Sequence, residues 1–88
     1  MRVVYLRTAF HQMRRVYAPP GSPQHDKVRR VLAQLADERH PLPGPEDQEA
    51  LRSPVETIWA RRVPETDLVV TYSILPLMVE MRGVHPVW

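Results

Sequence analysis

The chain contains no cysteine, so disulfide bonds and thiolate metal sites are excluded. Its histidines are spread along the chain without paired spacing, which favours exposed or locally hydrogen-bonded side chains over metal ligands. They are His11, His25, His40 and His85. No apolar run approaches the roughly 18 residues of a membrane span, and the N-terminal run is too short for a signal peptide. We therefore expect a cytoplasmic protein without a metal, a cofactor or membrane contact.

With 88 residues, the chain has room for one domain, residues 1–88, and for no second core. Hydrophobic residues make up 43% and charged residues 25%, which is typical of folded rather than disordered chains. A domain this small is only marginally stable alone. A partner protein or a homodimer would therefore stabilise it.

Charge is unevenly placed, although the net charge is only +2. Residues 1–30 hold seven Lys or Arg against one acid, whereas residues 31–60 hold six acids against two arginines. A basic first third is typical of a chain that binds nucleic acid or an acidic protein segment. A solvated helix face that binds nothing explains the same charge distribution equally well. The candidate contact residues in this part are Arg14, Arg15, Arg29 and Arg30.

The first half of the chain predicts a strand and two helices. The β-branched and aromatic residues 3–6 suit a strand. Thr8 is expected to cap the first helix, and Ser22 and Pro23 mark the start of the second. The apolar positions at helical spacing are Phe10, Met13, Val16 and Tyr17 in the first helix and Val28, Val31, Leu32 and Leu35 in the second.

The second half predicts three antiparallel strands. The proline-rich residues 41–45 make a loop, which the acidic residues 46–50 continue or turn into at most one helical turn. Three β-rich runs follow at residues 55–63, 68–75 and 77–84. The predicted fold is α+β, in the order β-α-α-β-β-β, with two helices packed on one face of a small, mainly antiparallel sheet.

Side chains alternate across a strand, which predicts one face toward the helices and one open face. The helix face should contain Leu68, Val70, Tyr72 and Ile74, together with Val55, Trp59, Val63, Leu77, Val79 and Met81. The open face should contain Val69, Thr71 and Ser73, together with Glu56, Ile58, Ala60, Arg62, Met78, Glu80, Arg82 and Val84.

Several short motifs lie in the last third of the chain. Two arginines precede a Val-Pro-Glu-Thr corner at residues 63–66, and a Val-rich strand then ends in Tyr72. A Val-Glu-Met-Arg run at residues 79–82 and a Val-His pair at residues 84–85 follow. Together with the order of elements, these motifs resemble the RelE/ParE superfamily, the toxin halves of bacterial toxin–antitoxin pairs. The likeness covers roughly residues 55–85 and is greatest to the ParE branch.

The resemblance bears on the residue at position 69. Ribonucleases of the RelE branch place an arginine just before the strand tyrosine, at the position of Val69 in this chain. In-line attack on a phosphate needs a base, an acid and cations around the phosphate oxygens, and valine supplies none of these. For a ribonuclease, the resemblance leaves Arg62, Arg82 and His85 as catalytic residues, with Arg61 as a further target contact. Val69 favours the ParE branch, whose toxins act by binding DNA gyrase, and fits an inactive relative equally well.

Three functions therefore remain open. The first is a ParE-like toxin that inhibits an essential machine, DNA gyrase, and is neutralised by a cognate antitoxin. The second is a RelE-like, ribosome-dependent mRNA endoribonuclease. The third is an inactive binding module with the toxin fold. Arg62 and Arg82 with Glu56 and Glu80 are either a target contact patch or cross-strand charge pairs that solvate the open face.

Overall fold

The chain folds into two helices and one five-stranded sheet, and the computed structural model describes residues 2–37 and 39–87. The helices are α1, Arg7–Gln12, which continues as one π-helical turn at Met13–Tyr17, and α2, Pro23–Ala36. The strands are β1, Arg2–Tyr5, β2, Asp47–Arg52, β3, Thr57–Arg62, β4, Leu68–Ile74, and β5, Met78–Pro86. The predicted α+β class is thus confirmed. Neither helix in the described ranges is long and apolar enough to cross a membrane.

The sheet is mixed, and its strands lie in the order β1-β5-β4-β3-β2. β1 runs parallel to β5, and the other neighbouring pairs are antiparallel. The predicted three-stranded meander is present as β3, β4 and β5. The prediction of four strands was wrong, since β2 adds a fifth strand at the edge of the sheet.

Strand β2 lies where the sequence predicts a loop or a helical turn. Residues 46–50 are acidic and polar, yet Asp47–Arg52 pairs with β3 along its length. Asp, Glu, Gln and Ala have low strand propensity, but strand formation depends more on neighbours than on propensity. The strand forms because β3 supplies a partner and because the Asp47 carboxylate has a buried counterpart, as shown below.

Helix α2 begins and packs as the sequence predicts. The Ser22 side chain accepts a hydrogen bond from the backbone N–H of His25 at 3.2 Å, and Pro23 occupies the first helical position. The hydrogen bond satisfies one of the free N–H groups at the start of the helix, and proline has no N–H that would need a partner there. The whole predicted apolar stripe is buried, namely Val28, Val31, Leu32 and Leu35.

Helix α1 begins earlier than predicted and buries less of its stripe. Leu6 is the N-cap residue, so Thr8 lies inside the helix and does not cap it. Ala9 and Met13 are four residues apart, so they lie on the same side of the helix, and both are buried. Phe10 lies on a different side, and its side chain is 40% exposed. The inward direction predicted for Phe10 is therefore wrong. The side chains of residues 16 and 17 lie outside the described part of the structure.

Strand β4 carries the centre of the core. Leu68, Val70 and Tyr72 belong to the buried cluster and Ile74 packs against it, which confirms the predicted helix face of this strand. Helix α1 and its π-helical turn pack on β5, and α2 packs on β1. Other residues predicted to face inward do so as well, namely Val63, Val79 and Met81 in the cluster and Trp59 against it.

Two residues predicted to face the core lie in turns. Val55 is 91% exposed and Leu77 is 84% exposed. The backbone N–H of Ser53 donates to the carbonyl of Glu56 at 2.8 Å and closes the turn around Val55. Leu77 lies in the connection between β4 and β5. The inward direction predicted for both is wrong, because the alternation of a strand does not extend into its turns.

A β-bulge in β5 reverses the predicted direction of Val84. The register between β4 and β5 shifts, so that Thr71 pairs with Gly83 whereas Tyr72 pairs with Met81. One residue of β5 is left without a partner, and the alternation changes phase beyond it. Val84 is therefore fully buried in the core and not on the open face.

Replacing Val84 by alanine tests the bulge. The side chain is 0% exposed, so we expect the loss of its methyl groups to lower the free energy of unfolding by about 2 kcal/mol. Val87 is 43% exposed and provides a matched control, for which Val87→Ala should cost less than about 0.5 kcal/mol. Urea denaturation followed by circular dichroism measures both. Equal small effects would mean that Val84 faces solvent and that β5 has no bulge.

Candidate functional site

The candidate residues lie in three separate places. The face of the sheet that turns away from the helices is termed the outer face and is defined by the odd-numbered residues 69–73 of β4 with their strand partners, which include Arg62 and His85. Arg82, the unpaired residue of the β5 bulge, reaches this face through its hydrogen bond to Glu80. Arg61 is buried on the helix side. The remaining candidates are exposed on the helices, namely Arg14, Arg15, Arg29 and Arg30. The exposed candidates therefore lie on two different surfaces, and one candidate arginine is buried.

Strand register sets Arg62, Val69 and His85 side by side on the outer face. Val69 of β4 pairs with Arg62 of β3 and with His85 of β5. Val69 is 9% exposed, whereas Arg62 is exposed to solvent. A Cβ on Gly83 would stand 2.4 Å from Nε2 of His85, so the imidazole lies against the Gly83 backbone. The row thus has an apolar centre with a cation on one flank.

The centre of the outer face is more covered than an open face implies. Thr71 is 5% exposed and Ser73 is 1% exposed, although the helices pack on the other side of the sheet. The Ser73 hydroxyl donates to Oε2 of Glu56 at 3.5 Å, and the Thr71 hydroxyl donates to the Gly83 carbonyl at 3.3 Å. A ligand on this face would therefore contact the flanking side chains more than β4 itself.

Arg82 is held between two carboxylates. Its Nη1 donates to Oε1 of Glu80 at 2.8 Å, and its Nη2 donates to Oε1 of Glu56 at 3.3 Å. All three side chains are about one third exposed or less. One positive and two negative charges leave the group net negative, so it disfavours the approach of a phosphate.

The two arginines of the outer face lie near different ends of β4. Arg62 lies in the row of Val69, whereas Arg82 binds Glu56, which contacts Ser73. Positions 69 and 73 are about 13 Å apart at roughly 3.3 Å per strand residue. RNA cleavage requires the catalytic cations to surround one phosphate. The geometry does not gather these arginines around one phosphate position.

Arg61 lies in a buried cluster on the helix side of the sheet. It is 5% exposed, and its Nε and Nη2 donate to the two carboxylate oxygens of Asp47 at 2.6 and 2.8 Å. The Tyr72 hydroxyl also donates to Asp47, as does the backbone N–H of Gly44 at 2.7 Å. Both oxygens of Asp47 therefore have donors. Because the guanidinium of Arg61 is committed inside the protein, Arg61 does not lie on a surface that a target could contact.

These hydrogen bonds also set the protonation of the cluster. Burial by itself would raise the pKa of Asp47, but hydrogen bonds from Arg61, Tyr72 and Gly44 outweigh it and place the pKa below its ordinary value. Burial, and then the hydrogen bond to Asp47, raise the pKa of Tyr72. Asp47 thus stays ionised and Tyr72 stays protonated at neutral pH, which suits a structural cluster rather than an acid–base pair.

Sequence reasoning missed Asp47, although one signal pointed to it. Arg61 stands between Trp59 and Val63, two residues that alternation places on the helix face. A charged side chain at an inward position needs a buried partner. The partner itself could not be identified, because Asp47 lies 14 positions before Arg61 and two other acids, Glu49 and Glu56, lie between them.

The arginines of the helices form a surface of their own. All four are exposed, and the guanidinium carbon of Arg14 lies 5.5 Å from the centre of the Phe10 ring. At this distance the cation is attracted to the face of the ring. The helices pack on the side of the sheet opposite the outer face, so one small ligand cannot contact both surfaces.

Side chains that could bind a metal are scattered. His11 lies in α1, His25 in α2, His40 in the loop after α2, and His85 in β5. Within residues 2–37 and 39–87, no group of three His, Asp or Glu side chains is placed to hold a metal ion.

Replacing Asp47 by asparagine tests how far the fold depends on the buried cluster. Because the buried Arg61 would keep only the half-exposed carboxylate of Glu46, 3.2 Å from its Nη2, we expect the free energy of unfolding at pH 7 to fall by about 2 kcal/mol. Glu49 is exposed on the same strand and provides the matched control. Glu49→Gln should cost less than about 0.5 kcal/mol in the same urea denaturation.

The same pair of variants gives a pH test. The pKa of Asp47 in the folded chain lies below its unfolded value of about 3.9. Its contribution to stability is therefore present above about pH 4 and is lost as the pH falls through the folded pKa. The wild type is expected to be more stable than Asp47→Asn at pH 7, and this difference in unfolding free energy should become smaller as the pH falls below about 4. A difference that stays constant down to about pH 2 would contradict this assignment.

No protein-family model matches the chain, and neither a curated protein nor a solved structure similar to it was found. Family and function are therefore inferred from the residues and contacts of the chain itself.

Proposed function

We propose that the chain is the toxin of a bacterial type II toxin–antitoxin module, of the ParE-like branch of the RelE/ParE superfamily. It binds and inhibits DNA gyrase, and a cognate antitoxin neutralises it. The observation that favours binding over RNA cleavage is the chemistry of the outer face. There, Val69 occupies the centre of a row and Arg82 is bound by two carboxylates.

The order of elements supports the family. A strand and two helices precede an antiparallel meander, as in the predicted order, and β2 is an additional strand between α2 and the meander. The Val-Pro-Glu-Thr corner joins β3 to β4, where the Thr66 hydroxyl donates to the Val63 carbonyl at 2.8 Å. Tyr72 lies on β4, and the last two motifs lie on β5. Each motif therefore lies on a strand or at the corner between two strands, which supports the proposal.

The outer face offers little for RNA cleavage. Val69 provides neither charge nor a hydrogen-bond donor at the position where a catalytic arginine would stand. A phosphate at Arg82 would have to displace Glu56 and Glu80 from its N–H groups against a net negative charge. Arg62 remains exposed, but one cation does not surround a phosphate.

The row of Arg62, Val69 and His85 is better suited to contact with a protein. Its accessible part is the exposed Arg62 side chain beside the mostly covered Val69, and arginine is enriched at the energetic centres of protein interfaces. Such a surface needs no group that takes or gives a proton. The proposal therefore assigns this row to the contact with the target.

A gyrase supercoiling assay with the purified chain tests the proposal. We expect inhibition of supercoiling, weakened at least about tenfold by Arg62→Ala, since truncation of an interface arginine commonly costs more than 1 kcal/mol. Arg52→Ala removes the same charge from the opposite end of the β2–β3 hairpin and should change the inhibition less than about twofold.

Expression in bacteria separates the proposed mechanism from the other two functions. Induction should arrest growth, and primer extension on translated messages should show no discrete cuts. Discrete cuts that disappear in Arg62→Ala and Arg82→Ala would contradict gyrase inhibition and favour the ribonuclease. Normal growth with undisturbed supercoiling would contradict a toxin and favour the inactive binding module.

A further inference from the structure

A second surface of distinct chemistry lies on the helical side of the chain. It is termed the aromatic–arginine surface and is defined by Tyr5, Phe10, Arg14, Arg15 and Arg29. Tyr5 is 42% exposed and Phe10 is 40% exposed, and their tilted rings have centroids 5.9 Å apart. Two large rings side by side at the surface are apolar area that the fold itself does not bury.

Arginines surround these rings. The guanidinium carbon of Arg14 lies 5.5 Å from the centroid of Phe10. Two adjoining clefts share Phe10 and Arg14. One, of about 330 Å³, reaches Tyr5 and Arg29, and the other, of about 420 Å³, reaches Arg15. The rings and the three guanidinium groups therefore form one continuous surface.

This side of the molecule is its basic half. The first 36 residues hold seven Lys or Arg and one acid, Asp26, whereas the rest of the chain holds nine acids and five arginines. None of the described residues that line the two clefts is acidic. The helical side therefore attracts polyanions, although the whole chain is nearly neutral.

We propose that the aromatic–arginine surface binds single-stranded nucleic acid. Unpaired bases stack on the rings of Tyr5 and Phe10, and phosphates bind Arg14, Arg15 and Arg29. Exposed aromatic rings stack with any base, and the planar guanidinium group pairs with phosphate through two N–H groups. In a duplex the bases are already stacked within the helix, so a duplex reaches only the arginines.

An acidic peptide fits this surface less well. An amphipathic helix binds a groove through three or four apolar anchors along one face. Among the described residues, the exposed large apolar side chains of the helical side are the two rings alone, since the others lie in β2, in the turns and at the C-terminal end. Two rings flanked by cations match bases and phosphates better than they match a stripe of aliphatic anchors.

Fluorescence anisotropy with labelled oligo(dT) of about 12 nucleotides, alone or paired with oligo(dA), tests the proposal. We expect the single strand to bind at least about tenfold more tightly than the duplex. Phe10→Ala should weaken binding to the single strand about tenfold, whereas Phe10→Trp should retain it. Arg14→Ala should reduce the dependence of log Kd on log salt by about 0.7, as expected for one phosphate contact to a single strand.

Arg52→Ala removes the same charge from β2 and should change Kd less than about twofold, and thermal unfolding of each variant checks that it is folded. Arg29→Ala should also weaken binding to the single strand, although it leaves both aromatic rings in place. The test therefore does not depend on Phe10 alone. Equal binding of single strand and duplex, or equal affinity of the wild type and Phe10→Ala, would overturn the proposal. Failure to bind the single strand would overturn it too, and tight binding of an acidic peptide of about 15 residues would then identify a protein partner instead.

Discussion

The ion pair between Asp47 and Arg61 is the contact on which the arrangement of the sheet depends. Strand β2 is otherwise exposed and polar, so it buries little apolar surface that could hold it in place. The Asp47 carboxylate joins this edge strand to Arg61 on β3 and to Tyr72 on β4, and the N–H of Gly44 attaches the proline-rich loop to the same group. Buried charges are tolerated only when their partners are in place. Three strands and a loop are therefore held in one relative arrangement.

This buried pair also determines which residues reach the outer face. With Arg61 held on the helix side, alternation turns Arg62 outward, and the register of β3 against β4 sets Arg62 beside Val69. A slip of one residue would exchange the two arginines and place Arg62 in the core without a carboxylate. The position of Arg62, the central candidate for contact with a target, is thus a consequence of an interaction on the opposite side of the sheet.

Regular elements could be predicted from the sequence, and departures from regularity could not. The stripe of α2 and the faces of β4 follow from periodicity, because both elements keep their period from end to end. The direction of the Val84 side chain depends on a bulge, and that of Leu77 depends on where a turn begins. Neither a bulge nor the start of a turn produces a periodic pattern in the sequence. Alternation likewise placed Arg82 on the correct face. The contact between Arg82 and Glu56, 26 positions apart in the sequence, could not be predicted, since the register of the strands decides which residues meet.

The two exposed faces differ in how far their arginines are already neutralised. On the outer face, Arg82 is paired twice within the chain, whereas the arginines around Phe10 line clefts without an acidic residue among those described. Charges farther apart than about 10 Å are largely screened at moderate salt, so each face is recognised separately. In the two proposals made above, a polyanion binds the helices while a protein binds the sheet. Binding on the helical side would thus bring the chain close to a machine that works on nucleic acid, and neither surface would need a catalytic group.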